Sequence, residues 1–129
     1  MKKSICFISV LLITTSITAQ QKDFPELTGP YLSQKPPRMI PELFAPGIIL
    51  TGYHEHSSPA FSPDGKEIYW SEFIHNHSIQ IILYIKVENG IRTPPQVAPF
   101  SGQYSDGCAV FSIDGNTMFL YSNRPVKYV

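Results

Sequence analysis

The chain has 129 residues, and ten lysines and arginines balance ten aspartates and glutamates, so its formal charge is zero at pH 7. The basic residues are scattered singly, without the clustered stripe that phosphate contacts require. We therefore expect no nucleic-acid partner.

Residues 1–19 are predicted to form a signal peptide. Lys2 and Lys3 supply a positive start, an apolar stretch follows over 5–17, and Ala19 offers a small residue at the cleavage point. The stretch is too short to span a bilayer. The sequence thus predicts a periplasmic or secreted protein with no membrane span after cleavage and a formal charge of −2, since eight basic residues then face ten acidic ones. An uncleaved anchor or a buried strand is the alternative.

Cysteine content limits how the exported protein can be stabilised. Cys6 falls in the signal segment, which leaves Cys108 as the only thiol and permits no internal disulfide. Cys108 precedes the apolar run Ala109-Val110-Phe111, a pattern typical of a small buried hydrophobe rather than a reactive thiol. Stability is therefore expected to come from packing.

The segment at 20–41 differs in composition from the rest of the chain. It is rich in proline and shows neither helical nor strand periodicity. We predict an extended leader that runs along the domain surface, with a proline-rich ligand for a partner domain as the alternative. The pattern becomes strand-like afterwards, so the predicted domain covers 42–129.

A short phrase occurs twice, fifty residues apart, as Phe61-Ser62-Pro63-Asp64-Gly65 and Phe111-Ser112-Ile113-Asp114-Gly115. Each phrase has turn chemistry, because its aspartate can cap backbone amides and its glycine accepts a positive φ. An apolar run follows each copy, so each turn leads into a strand. A repeat at this period suits one four-stranded unit. The residues with this structural role are Pro63, Asp64, Gly65, Asp114 and Gly115.

The strands of the repeat can be placed from alternation and turn signals. A strand at 79–87 alternates in polarity and ends at Asn89-Gly90, a strong hairpin signal. Prolines at 94, 95 and 99 exclude a central position for the next strand but suit an outer one. The predicted strands lie, in chain order, at 44–46 (outer), 60–62, 68–74, 79–87, 92–100 (outer) and 116–122.

The phrase at 58–70, together with Phe111-Ser112-Ile113-Asp114-Gly115 and the closing Tyr121-Ser122-Asn123-Arg124-Pro125, resembles the WD-repeat-like, TolB-type β-propeller repeats. The resemblance implies an all-β fold built of blades of four antiparallel strands. An outer strand, one full blade and half of the next are present, about two blades. Ile113 replaces the proline usual in the family and relaxes the second turn.

The resemblance also implies a function class. Propellers of this kind serve as rigid platforms that bind proteins, peptides or glycans in the cell envelope, and we expect such a non-catalytic binding module. Related propellers act as gating domains of serine peptidases or as metal-assisted polysaccharide lyases, which is the alternative. A closed propeller takes about four to eight blades. We therefore expect a fragment of a longer protein that needs further blades or self-association.

Two His-x-His pairs are the one constellation with metal-ligand chemistry. Alternate residues of a strand share a face, so each pair could present two imidazoles to one zinc or manganese ion. The four candidates are His54, His56, His75 and His77. Exposed loop histidines without a metal are the favoured interpretation, and no other cofactor is predicted.

Other catalytic signals are missing from the sequence. It has no Gly-x-Ser-x-Gly elbow, no Cys-x-x-Cys pair and no glycine-rich phosphate loop. Tyr69 and Trp70 could stack on a sugar, but aromatic side chains in an apolar strand are more often core. No catalytic residue is assigned.

Overall fold

The fold is that of a computed structural model, which describes residues 24–55 and 57–126. The predicted signal peptide at 1–19, with Cys6, and the metal candidate His56 lie outside the described residues. Within those ranges every regular element is a β-strand, all pairs of named strands are antiparallel, and no helix is present that could cross a membrane. The predicted all-β class is confirmed.

The first sheet is an antiparallel meander in which six strands occupy four positions, because each edge position is shared by two short strands. Two short strands, β1 (His54–Glu55) and β2 (Ala60–Phe61), both pair with β3 (Glu67–Ile74). On its other side β3 pairs along its whole length with β4 (Ile79–Glu88). The outer position, beside β4, is shared by β5 (Ile91–Arg92) and β6 (Gln96–Val97).

Turn chemistry explains how the outer position is formed. Asn89 and Gly90 have φ values of 52° and 83°, as a two-residue hairpin loop of the favoured hand requires. The continuous outer strand expected at 92–100 is instead two pieces of two residues each, β5 and β6. Pro94 and Pro95 lie between them and have no amide hydrogen to donate to β4.

A second sheet is the hairpin of β7 (Asp106–Phe111) and β8 (Met118–Ser122). Its register shifts between Gly107 and Val110, where a β-bulge places Cys108 at a φ of 54°. The Cys108 side chain is exposed, so the expectation that it is buried was wrong. The cause is local, because a bulge adds an unpaired residue and changes which side chain faces the core.

One face of the first sheet packs against the segment 24–50, which includes most of the proline-rich part of the chain. Ile68, Trp70 and Ile85 form a core cluster with four side chains of the segment 24–50. Those four residues are Leu27, Leu32, Ala45 and Ile49, all buried. Since each fully buried large aliphatic side chain contributes about 1.5–3 kcal/mol, Leu27, Leu32 and Ile49 attach this segment to the core, while most of its residues stay exposed.

The outer strand expected at 44–46 is not formed. Ala45 has a φ of 47°, and its carbonyl accepts the amides of Ile48 and Ile49 at 3.1 and 2.9 Å, which closes a turn. The only ladder contact there is an isolated bridge between Pro46 and Leu50. A residue in the left-handed region breaks the extended backbone that a strand needs.

The opposite face of the first sheet packs on the hairpin of β7 and β8, which we call the second hairpin. Tyr69, Ile82 and Tyr84 form a cluster with Ala109 of β7, and the Tyr69 and Tyr84 rings stack with centroids 5.5 Å apart. Tyr69 and Trp70 are 7% and 1% exposed, so both are core residues, as predicted. The two sheets therefore lie face to face.

Candidate functional site

The two repeat turns are built alike. In the first, the Ser62 hydroxyl and the Lys66 amide donate to Asp64 Oδ1 at 2.7 and 3.0 Å. In the second, the Ser112 hydroxyl and the Asn116 amide donate to Asp114 Oδ1 at 2.6 and 3.1 Å. The serine bond is the main cause that lowers the pKa of each carboxyl group below its ordinary value of 3.8. Each aspartate thus stabilises its own turn.

The glycines of the same turns both adopt a positive φ, and the second one also lies close to the first turn. Gly65 and Gly115 have φ values of 70° and 73°, where side chains are disfavoured. A Cβ at Gly115 would also lie 2.9 Å from Cγ of Pro63, so the two turns are in contact. Pro63, Gly65 and Gly115 therefore act in turn formation and in the packing of one repeat on the next.

The histidines meet at the opposite end of β3 from these turns. His54 on β1 is the register partner of Phe73, and the loop that carries His75 and His77 begins just after β3. The His54 and His77 rings lie with centroids 5.0 Å apart at an interplanar angle of 74°, beside an open cavity of about 440 Å³. The described residues contain no group of three or more potential metal ligands.

A second cavity lies between the segment 24–50 and β2. Its volume is about 370 Å³, and its wall is aromatic and proline-rich. The Phe44 and Phe61 rings, 5.9 Å apart, belong to this wall. The aromatic and proline residues that line it are Tyr31, Pro37, Pro41, Phe44, Pro59 and Phe61. We call this space the aromatic cavity.

Gln34 holds the backbone around the aromatic cavity. Its Oε1 accepts the amide of Ala45 at 2.6 Å, and its Nε2 donates to the carbonyl of Leu43 at 3.0 Å. Two residues on the loop between them, Met39 and Ile40, expose large apolar side chains. The loop is therefore fixed at its base and presents apolar surface to solvent.

Two cations also line the aromatic cavity, Lys35 and Arg38. Among the described residues neither has an ion pair, and Glu42 is the one acidic residue in the lining. Sequence reasoning missed this site because it treated 20–41 as a surface leader. The signal that could have found it is the presence of Leu27, Leu32 and Phe44 among the prolines.

The outer face of the second hairpin is a further apolar surface. Val110, Phe119 and Tyr121 expose their side chains there. Phe119 follows Tyr69 by fifty residues, and Tyr69 belongs to the face of the first sheet that packs on this hairpin. The exposed face is thus the repeat counterpart of a face that is covered in the first sheet.

No family model, curated protein or solved structure matches the chain.

Proposed function

We propose that the chain is an exported, non-catalytic β-propeller module of the cell envelope and that its aromatic cavity binds an acidic peptide segment. The propeller part is supported by a four-position antiparallel meander followed by a hairpin that begins a second copy. The face-to-face packing of the two sheets agrees with blades in sequence.

The aromatic cavity carries the binding part of the proposal. Binding grooves for extended peptides are commonly lined by aromatic side chains, which offer large contact area at low conformational cost. Phe61 is fixed on β2, and Phe44 packs against it, so this wall is preformed. Exposed apolar side chains beside it, Met39 and Ile40, extend the contact surface.

Charge determines which peptide we expect. Lys35 and Arg38 outnumber the single carboxylate in the lining, Glu42, and have no acidic partner among the described residues. A carboxylate of the ligand can therefore pair with them without first displacing a protein group. An arginine also binds carboxylates in two-point geometry, which adds specificity.

The test is fluorescence anisotropy of a labelled synthetic peptide in which aspartates alternate with phenylalanine and leucine. The full exported chain should bind it, and a peptide with lysines in place of the aspartates should bind at least tenfold more weakly. Phe61→Ala should weaken binding about tenfold or more, because an anchoring aromatic typically contributes over 1 kcal/mol. The charge reversal Lys35→Glu with Arg38→Glu should have a similar effect.

Matched controls are available on the second hairpin and the first turn. Phe119→Ala removes another exposed strand phenylalanine, and Lys66→Glu reverses an exposed lysine away from the cavity. Both should leave the affinity unchanged. Equal losses in the controls, or binding of a neutral oligosaccharide that the charge reversal does not weaken, would contradict an acidic-peptide site.

The exposed face of the second hairpin bears on assembly. We propose that another repeat of the same kind covers Val110, Phe119 and Tyr121, as the second hairpin covers Tyr69. When this chain is studied without such a covering repeat, sedimentation should show that its copies associate as the concentration rises. The double variant Phe119→Lys with Tyr121→Lys should remove that association. A chain that stays monomeric at high concentration, with or without these changes, would argue against a surface of this type.

A further inference from the structure

We infer that His54 and His77 together form a binding site for one first-row transition-metal ion of the zinc, nickel and copper class. The site shares no residue with the aromatic cavity, and the inference does not depend on the peptide ligand proposed for it. It rests on the spacing of the two imidazoles, their unoccupied nitrogens and the cavity beside them.

The spacing of the two rings suits a shared ion. With a metal–nitrogen distance of about 2.0 Å and a tetrahedral angle of about 109°, two imidazoles on one ion have ring centres roughly 5 Å apart. The observed separation is 5.0 Å. Imidazole is a preferred ligand of zinc, nickel and copper, whereas magnesium and calcium prefer oxygen.

The nitrogens of both rings are available to a ligand. Neither His54 nor His77 has a hydrogen-bond or ion-pair partner among the described residues, and both side chains are exposed. The Phe73 ring lies 6.1 Å from His54 and 5.7 Å from His77, and so forms a common apolar wall. The metal would therefore not have to displace a protein group from either imidazole.

The backbone holds His77 in an unusual conformation. His75, Asn76 and His77 have φ values of 49°, 52° and 67°, three consecutive residues in the left-handed region. The carbonyl of His75 accepts both the amide and the hydroxyl of Ser78, at 3.2 and 2.7 Å, which closes this loop. Non-glycine residues persist in such conformations where surrounding structure holds them, often beside ligands.

Two protein ligands leave coordination positions open. The described residues contain no third histidine, cysteine or carboxylate that completes a group of ligands. Water, or an oxygen of a bound molecule, would fill the remaining positions from the cavity of about 440 Å³, whose lining includes His54, Phe73, His75 and His77. The ion is thus expected to bind reversibly and to exchange with solvent.

The test is calorimetric titration of the full, untagged exported chain with zinc chloride, and with copper(II) for electron paramagnetic resonance. One zinc per chain should bind, magnesium should not, and the copper spectrum should show two coordinated nitrogens. His54→Phe keeps the ring packing and removes the nitrogens, while His77→Asn keeps a residue that tolerates positive φ. Each should weaken zinc binding at least tenfold.

His75→Asn is the matched control, since it removes a histidine of the same loop at another left-handed position. Zinc affinity should stay within about twofold of the wild type, because His75, although it lines the same cavity, does not complete a group of three ligands with His54 and His77 among the described residues. Circular dichroism of all variants checks that they fold. Absence of zinc uptake by the folded wild type, or an equal loss in His75→Asn, would overturn the assignment.

Discussion

Arg124 Nη2 donates a hydrogen bond to Oδ1 of Asp106 at 2.7 Å, and this ion pair joins the two ends of the second hairpin. The Asp106 side chain is 0% exposed, whereas Arg124 is 41% exposed. Arg124 also donates to the carbonyl of Phe100 at 2.8 Å, which links the hairpin to the chain that follows β6. A buried carboxylate is thus paired with a cation that reaches it from the surface.

Removal of Arg124 should destabilise the protein. Arg124→Gln leaves the carboxylate of Asp106 buried without its cation, and we expect a loss of about 2 kcal/mol in the free energy of unfolding. Urea denaturation measures it. Lys66→Gln breaks an exposed ion pair, between Lys66 and Asp64 at 3.7 Å, and should cost much less, because solvent screens exposed charges. Equal losses would mean that burial of Asp106 has no energetic consequence.

Gly107 should not tolerate a side chain. A Cβ there would overlap the side-chain amide of Gln80, which is buried across the interface between the sheets. Gly107→Ala should therefore lower the free energy of unfolding by about 1–3 kcal/mol through overpacking. Gln80→Ala removes the obstacle, so the double variant should lose less than the sum of the single losses. Additive losses in the urea experiment would place the strain elsewhere.

Acid should weaken the repeat turns. The pKa values of Asp64 and Asp114 are lowered in the folded chain by their serine and amide hydrogen bonds. The unfolded chain therefore takes up protons first as the pH falls below about 4, and the stabilisation is lost through the folded pKa values. Asp64→Asn with Asp114→Asn should flatten the pH dependence of unfolding between about pH 4 and pH 2. An unchanged slope would contradict this origin.

Alkaline pH should lower the stability of the folded chain through Tyr69. Burial, followed by its hydrogen bond to Glu67 at 3.0 Å, raises the pKa of Tyr69 well above its ordinary value of 10.0. Above about pH 10 the unfolded chain releases this proton while the folded chain retains it, so stability falls as the pH rises. Tyr69→Phe should show a shallower loss of the urea midpoint between about pH 10 and pH 12. A wild-type slope in that variant would refute the assignment.

The turns and most of the strands could be predicted from the sequence. The Asp-Gly turns, the Asn89-Gly90 hairpin and the alternation in β4 depend on residues that are close in sequence, so the strands at 60–62, 68–74, 79–87 and 116–122 were placed within a few residues. The core positions of Tyr69 and Trp70 followed from the same periodicity. The all-β class could be predicted from these local signals alone, because turn type and strand period are set by neighbouring residues.

Contacts between distant residues were settled only by packing. The proline-rich segment joins the core because Leu27 and Leu32 meet a sheet face whose position depends on β3 and β4. Cys108 is exposed because a bulge turns it outward, and His54 approaches His77 because β1 pairs with the end of β3. Periodicity specifies which face a side chain takes along its own strand, but tertiary packing specifies what covers that face.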